Sequence, residues 1–355
     1  MNRFEQRIEN LRKLFPANGI DGLYIQDPYN VSYFTGKKGD DCSLWISGSK
    51  AYILSDFRYL EFASSFEWLE FFDISGGKSI AEFFSDLGSK NIGVEKDYIT
   101  LAKYNDLKSQ LSGKRIVPVS GLCEELRTVK DSFEIEDTKK ACAIADRCFE
   151  HILGFIRPGI TEKQIALEME YFMKSNGAED LSFDTIVASG PNSSMPHAIV
   201  SDRAVQDGDF ITMDYGCKYN GYCSDMTRTV GIGHVTSEMK DIYNIVLEAQ
   251  LCAEENIRAG MSGRQCDAFA RDIIEKHGFG KYFGHSLGHG TGLYIHELPT
   301  LSPRTEDVIP ENSITSVEPG IYIPGKFGVR IEDLAIQTFN GIIKLVDSPK
   351  ELIII

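Results

Sequence analysis

The chain has no uninterrupted apolar run of about 18 residues, which is the length a membrane-spanning helix requires. Its eight cysteines form no Cys-x-x-Cys pair and no zinc-finger spacing, so they read as reduced, mostly buried thiols of a cytoplasmic protein. Positive charge is scarce. Against 52 Asp and Glu stand 37 Lys and Arg, and the net charge of −15 argues against nucleic acid or an anionic membrane as the main partner. The opening segment MNRFEQRIENLRKLF places Phe4, Ile8, Leu11 and Leu14 at helical spacing, with charges between them. It has no apolar stretch of the kind a signal peptide needs and carries Glu5 and Glu9, so a secretory or transit segment is not expected. The helical zinc motif His-Glu-x-x-His is missing too, because His296-Glu297 is followed by Leu298, Pro299 and Thr300.

What is present suggests two domains, since 355 residues exceed what one core usually supports. In residues 1–125 the strand candidates GLYI, SLWIS, AYILS, NIGVE and RIVPVS alternate with the helical segments SIAEFFSDL and LAKYNDLKSQL, an α/β pattern. Residues 126–355 form the second expected domain. It opens on a long helix within LRTVKDSFEIEDTKKACAIADRCFEHIL, with Asp131 or Ser132 as its N-cap.

The second domain repeats itself. IRPGITEKQ at 156–164 returns as IRAGMSGRQ at 257–265, an offset of 101. Thr161 with Gln164, and Ser262 with Gln265, each make a helix-starting capping box, and Gly177 and Gly278 stop the two helices at the same offset. Such a repeat predicts two halves about a pseudo-twofold axis. After the first repeated helix come Asp214 and Asp225, on a hairpin turning at Asn220-Gly221; after the second come Glu318 and Glu332, on a hairpin turning near Pro324-Gly325. Four carboxylates that converge in an interior force one another toward protonation unless cations hold them, and two divalent ions would balance the charge.

All seven histidines fall between 151 and 296, and His197, His285, His289 and His296 sit in motif-like contexts. His285 and His289 have the i,i+4 spacing of a helical metal pair, but Gly284, Gly288, Gly290 and Gly292 disfavour a helix there. Any one of these histidines taken alone reads more readily as a core or surface residue, and two Asp in a hairpin as turn residues. Four such segments in one half of the chain shift that balance.

The stretches SGPNSSMPHAIVSDRAVQDGDFITMDYGCKYNGYCSDMTRT, GHSLGHGTGLYIHELP, SVEPGIYIPG and GVRIED resemble the pita-bread metallopeptidases, closest to Xaa-Pro aminopeptidase and Xaa-Pro dipeptidase (prolidase). YNVSYFTG and SDFRYLEFA are similar to that family's creatinase-type N-terminal domain. The resemblance implies an α/β N-terminal domain of creatinase type, followed by a pita-bread catalytic domain built on the pseudo-twofold repeat. It further implies a dinuclear site with Asp214 on one metal, His289 and Glu318 on the other, and Asp225 and Glu332 bridging. The ions would be two divalent metals, Mn²⁺ first, with Co²⁺ or Zn²⁺ as alternatives, since oxygen-rich ligation with one imidazole suits Mn²⁺ better than a thiolate-type zinc site. They would activate a water for attack on the peptide carbonyl. By the same resemblance Glu318 is the base, His296 contacts substrate and stabilises the tetrahedral intermediate, and His197 and His285 line the proline and leaving-group side. Tyr322 and Arg330 complete the pocket; next to Glu332, Arg330 could instead only neutralise charge. Arg304 would either fork onto a dipeptide's carboxylate or be a surface loop residue.

The activity so implied is hydrolysis of the bond between an N-terminal residue and proline, by a homodimer. A creatinase-like C–N hydrolase and a non-enzymatic peptide-binding module are the competing readings, and five intact ligand positions weigh against both. Dipeptidase and aminopeptidase are not separated by sequence.

Overall fold

The computed structural model describes residues 2–39, 41–75 and 79–355. The chain divides into two compact units, Met1–Arg127 and Thr128–Ile355.

The first unit is built on a six-stranded mixed sheet in the spatial order Glu70–Asp73, Ala51–Ser55, Ser43–Ser47, Gly22–Ile25, Asn91–Glu95, Arg115–Val119. Gly22–Ile25 pairs antiparallel with Ser43–Ser47 on one side and parallel with Asn91–Glu95 on the other. Its four residues are all buried, as a central strand covered on both faces requires. Tyr24, Trp45 and Phe84 interlock on one face of the sheet, with Phe84 edge-on to both other rings. The first helix, Arg3–Arg12, buries Ile8 and Leu11 at the spacing the sequence predicts and starts in an Asn2–Glu5 capping box.

The second unit opens with the helix Ser132–Leu153, N-capped by Asp131. The repeat is visible in the backbone. Helices Glu162–Ser175 and Gly263–Lys276 both begin in capping boxes, and both are followed by a glycine at positive φ, Gly177 and Gly278. Each helix start is stitched to a later irregular segment in the same way. Glu162 N–H donates to Arg203 O and Lys163 N–H to Ser201 O, while Gly263 N–H donates to Asp307 O and Arg264 N–H to Thr305 O. In each half three antiparallel strands follow one order: Ile186–Ser189, Phe210–Tyr215 and Met226–Gly231 in the first, Gly288–Gly290, Ile314–Val317 and Asp333–Thr338 in the second. Met213, Val230, Ile314, Leu334 and Ile336 from both halves share one apolar core beneath these strands. The halves meet where Glu332 N–H donates to Thr227 O.

The Asn220-Gly221 turn forms as its sequence predicts: both residues have positive φ, 49° and 82°, the conformation a tight hairpin needs. The i,i+4 pair His285 and His289 does not lie on a helix; Gly288–Gly290 is a short strand. All eight cysteines are free, and seven of them are buried.

Candidate metal centre

Each candidate residue reaches the seam from its own strand or loop. Asp214 faces Thr227 in the register of the first half's central pair, and Asp225 precedes the strand Met226–Gly231. His289 is the middle residue of Gly288–Gly290, where close approach requires the flanking glycines: a Cβ at Gly288 would lie 2.1 Å from Ser316 O, and one at Gly290 2.1 Å from Leu298 O. Glu318 follows the strand Ile314–Val317, and Glu332 follows Phe327–Arg330. All five line one cavity of about 440 Å³, together with His197, His285, His296 and Arg330.

Within that cavity acceptors face acceptors. Ligand-type atoms of Asp225, His289 and Glu332 all lie within 4.8 Å of one another. His289 Nε2 is 3.6 Å from Asp225 Oδ2 and 3.4 Å from Glu318 Oε1. The other ring nitrogen, Nδ1, lies 3.1 Å from the Gly290 carbonyl, which can only accept, so it carries the proton and leaves Nε2 bare toward the carboxylates. Burial lowers the pKa of His289, keeping the ring neutral. Burial raises Asp225 and Glu332 well above the usual carboxylate range, and repulsion from neighbouring carboxylates adds to it. Glu318 is raised by burial as well. Asp214 Oδ1 is buried with no hydrogen-bond partner. An orphaned carboxylate oxygen, a bare imidazole nitrogen and crowded acidic groups are what a divalent cation satisfies, so these residues fit the metal the sequence implies.

A layer of donors sets the acids in place. Arg330 Nη2 lies 2.6 Å from Asp214 Oδ2, Nη1 donates to Tyr322 OH at 2.8 Å, and Nε donates to Thr227 Oγ1 at 3.0 Å. Thr227 Oγ1 in turn donates to Glu332 Oε2 at 2.6 Å. Ser316 Oγ donates to Glu318 Oε1 at 3.1 Å and accepts from His289 N–H. Tyr322 is buried behind the cavity, and burial pushes its phenol up to about 12. It therefore stays a donor, to His285 Nε2 at 3.0 Å, while His285 Nδ1 faces the Ser286 carbonyl. His296 packs edge-on to His289 with ring centroids 4.5 Å apart. His197 and His296 are exposed at the cavity wall.

Arg304 differs from the rest. It is exposed on a turn and is not among the residues lining the cavity. Thr227 and Ser316 were missed by the sequence reading. Thr227 is the cross-strand partner of Asp214, a placement that depends on the register of the hairpin.

With this geometry in hand, the class is defined: the chain belongs to metallopeptidase family M24, whose model matches residues 136–338, and residues 7–129 match the creatinase/prolidase N-terminal domain. It is a hydrolase with the pita-bread fold, of a family that depends on divalent metal. Among its relatives, the structure of an Xaa-Pro dipeptidase from Bacillus anthracis is 44% identical, with a TM-score of 0.97 over 99% of this chain and 100% of that one. An X-Pro aminopeptidase from Thermotoga maritima is 37% identical, with a TM-score of 0.90 over 97% of this chain and 100% of that one. An uncharacterized peptidase of Bacillus subtilis, YqhT, is 44% identical over 98% of this chain and 100% of its own length.

Proposed function

We propose that the protein is a dinuclear metalloexopeptidase that cleaves the bond between an N-terminal residue and proline. The observation that carries this is the meeting of His289 Nε2 with Asp225, Glu318 and Glu332 beside the orphaned Asp214 oxygen. Asp214, Asp225, His289, Glu318 and Glu332 would hold two divalent ions, with Mn²⁺ preferred on the grounds of oxygen-rich ligation. Such ions would supply Lewis acidity and a water of lowered pKa at the scissile carbonyl.

The chain's own groups do the rest. Glu318, set in the cavity by Ser316 Oγ, is the carboxylate placed to take a proton and pass it on. His296, with one side open to the cavity and the other packed edge-on to His289, has its pKa lowered by partial desolvation and by that ring, and contacts the substrate carbonyl. His197 and His285 border the space for the proline ring, together with Pro196 and Phe183. Arg330 and Tyr322 orient Asp214 and His285. Relatives named for dipeptidase and for aminopeptidase activity both support the Xaa-Pro preference. A homodimer in the cytoplasm is the corresponding assembly and location.

The test is hydrolysis of free-amine Xaa-Pro and Xaa-Pro-Xaa peptides by metal-stripped and Mn²⁺-reloaded protein, with Glu318→Ala as control. Turnover should appear only on reloading and vanish in the variant. Hydrolysis that persists in fully stripped protein would overturn the reading. The ratio of the two substrates separates dipeptidase from aminopeptidase, and Arg304→Ala shows whether that exposed arginine contributes to the dipeptide's share.

A further inference from the structure

The two halves depart from their symmetry at one position with chemical consequences. Glu162 and Gly263 are the first residues of the repeated helices and make equivalent backbone bonds. At Gly263 the close approach of Thr300 O, 2.2 Å from where a Cβ would sit, excludes any side chain. In that half the segment carrying His289 and His296 is held by strand pairing, Gly288 with Leu301 and His289 with Thr300. Between Ser189, the last residue of its strand, and Ser201, the segment that carries His197 in the first half has no such ladder, and its one regular element is the short 3₁₀ helix Gly190–Ser194.

Glu162 does that work instead. Its side chain is fully buried, and the hydrogen bonds its carboxylate accepts come from this one segment. Oε1 accepts from Ser189 N–H at 2.7 Å, Ser189 Oγ at 2.8 Å and Asn192 Nδ2 at 3.0 Å. Oε2 accepts from Ser201 N–H at 3.1 Å and from the Ser201 hydroxyl. One carboxylate thus ties the first residue of the loop to the last, with Asn192 between them. Arg203 extends the clamp, donating to Ser189 Oγ at 2.6 Å while paired with Asp209. Farther along the loop, Gly328 N–H donates to Ser193 Oγ at 2.9 Å, and Arg330 Nη1 donates to Pro196 O at 3.3 Å. His197 follows directly on that last anchor.

We infer that Glu162 is a positioning residue: it closes the neck of loop 189–201 and thereby holds His197 at the cavity wall. A carboxylate suits this task because its two oxygens can accept several donors converging from both ends of a loop. A glutamine would turn an NH₂ group toward some of those donors and break the clamp without changing side-chain size. The inference rests on the proposed role of His197 only for its effect on turnover; the clamp itself is independent of that role.

The experiment uses the full-length, metal-loaded protein with Glu162→Gln, the milder Ser201→Ala, His197→Ala and the double variants. Amide hydrogen exchange across 190–200 should quicken in Glu162→Gln and, less, in Ser201→Ala, while exchange in the helix Ser237–Asn256 and metal content stay at wild-type levels. Unchanged exchange in the loop of a folded Glu162→Gln protein would overturn the clamp; should that variant fail to fold, the Ser201→Ala result decides. In turnover, Glu162→Gln should lower kcat/KM by about 10–100-fold, the scale of a misplaced group. In the His197→Ala background the same substitution should change it by no more than about twofold, because the two act as one unit. Losses that multiply would show that Glu162 does not act through His197. If His197→Ala alone leaves turnover unchanged, the proposed role of His197 falls, while the exchange data still decide the clamp.

Discussion

Arg330 Nη2 sits 2.6 Å from Asp214 Oδ2, while Asp214 Oδ1, equally buried, has no partner. The guanidinium occupies one oxygen and leaves the other for a cation, so it fixes the carboxylate without blocking it. Replacing Arg330 with Met should free Asp214 to rotate and weaken the ion that Asp214 holds by about 10–100-fold, as loss of an orienting partner does. If the proposed pair of ions is present, metal stoichiometry after dialysis, read by atomic emission, should fall from two per chain toward one.

Asp225 and Glu332 are raised by burial and by repulsion from neighbouring carboxylates, so each costs stability when charged and unpaired. Glu332→Gln should therefore raise the Tm of metal-stripped protein and lower the Tm measured at saturating Mn²⁺. The same substitution would act in opposite directions in the two states, because the ion stabilises only the form that binds it. Calorimetry with and without chelator reads both signs.

Glu95 supplies a pH dependence within the first unit. Burial pushes its carboxyl up to about 7, although Gln26 N–H, Asp27 N–H and Asn30 Nδ2 all donate to it. A raised folded pKa means that its contribution is full below the unfolded value near 4.5 and is lost as pH climbs through about 7. Wild-type protein should accordingly lose about 3 kcal/mol relative to Glu95→Gln between pH 4 and 8. Urea unfolding of both proteins across that range, followed by a probe in the first unit, checks it.

Behind Glu332, Arg228 lies 2.7 Å from Asp333 Oδ1 and donates to the Glu332 carbonyl at 2.6 Å, while Lys350 Nζ lies 2.7 Å from Asp333 Oδ2. Arg228 and Asp333 are essentially inaccessible to solvent. Asp333→Ala would leave two cations facing one missing acid and should cost about 3–5 kcal/mol. Denaturant titration of the second unit's transition measures the loss.

Much of this was legible before any coordinates. Short-range signals carried it: the capping boxes at Thr161 and Ser262, the glycine stops at 177 and 278, and the Asn-Gly turn each depend on a few neighbouring residues. The acidic pairs stood out because they flank hairpins at matching places in a repeat. What escaped is non-local. The edge strand Glu70–Asp73 shows no clean alternation, with one exposed and three half-buried residues. Glu162 reads in sequence only as the first residue of a helix, because its partners lie 27 to 39 positions away. For Arg304 the sequence left two readings, a fork onto a dipeptide's carboxylate and a surface loop residue, and its exposed place on a turn does not choose between them without substrate.

The stitching of Glu162–Arg203 and Gly263–Asp307 has an evolutionary corollary. A half-length ancestor with this fold would have offered two acids and no cavity wall of its own, and only a pair of copies about a twofold axis would have closed a site. Joining the copies in one gene released each from having to match the other. A glutamate could then appear in one half where the other admits only glycine, and an imidazole could enter one side of a centre that symmetry would otherwise have duplicated.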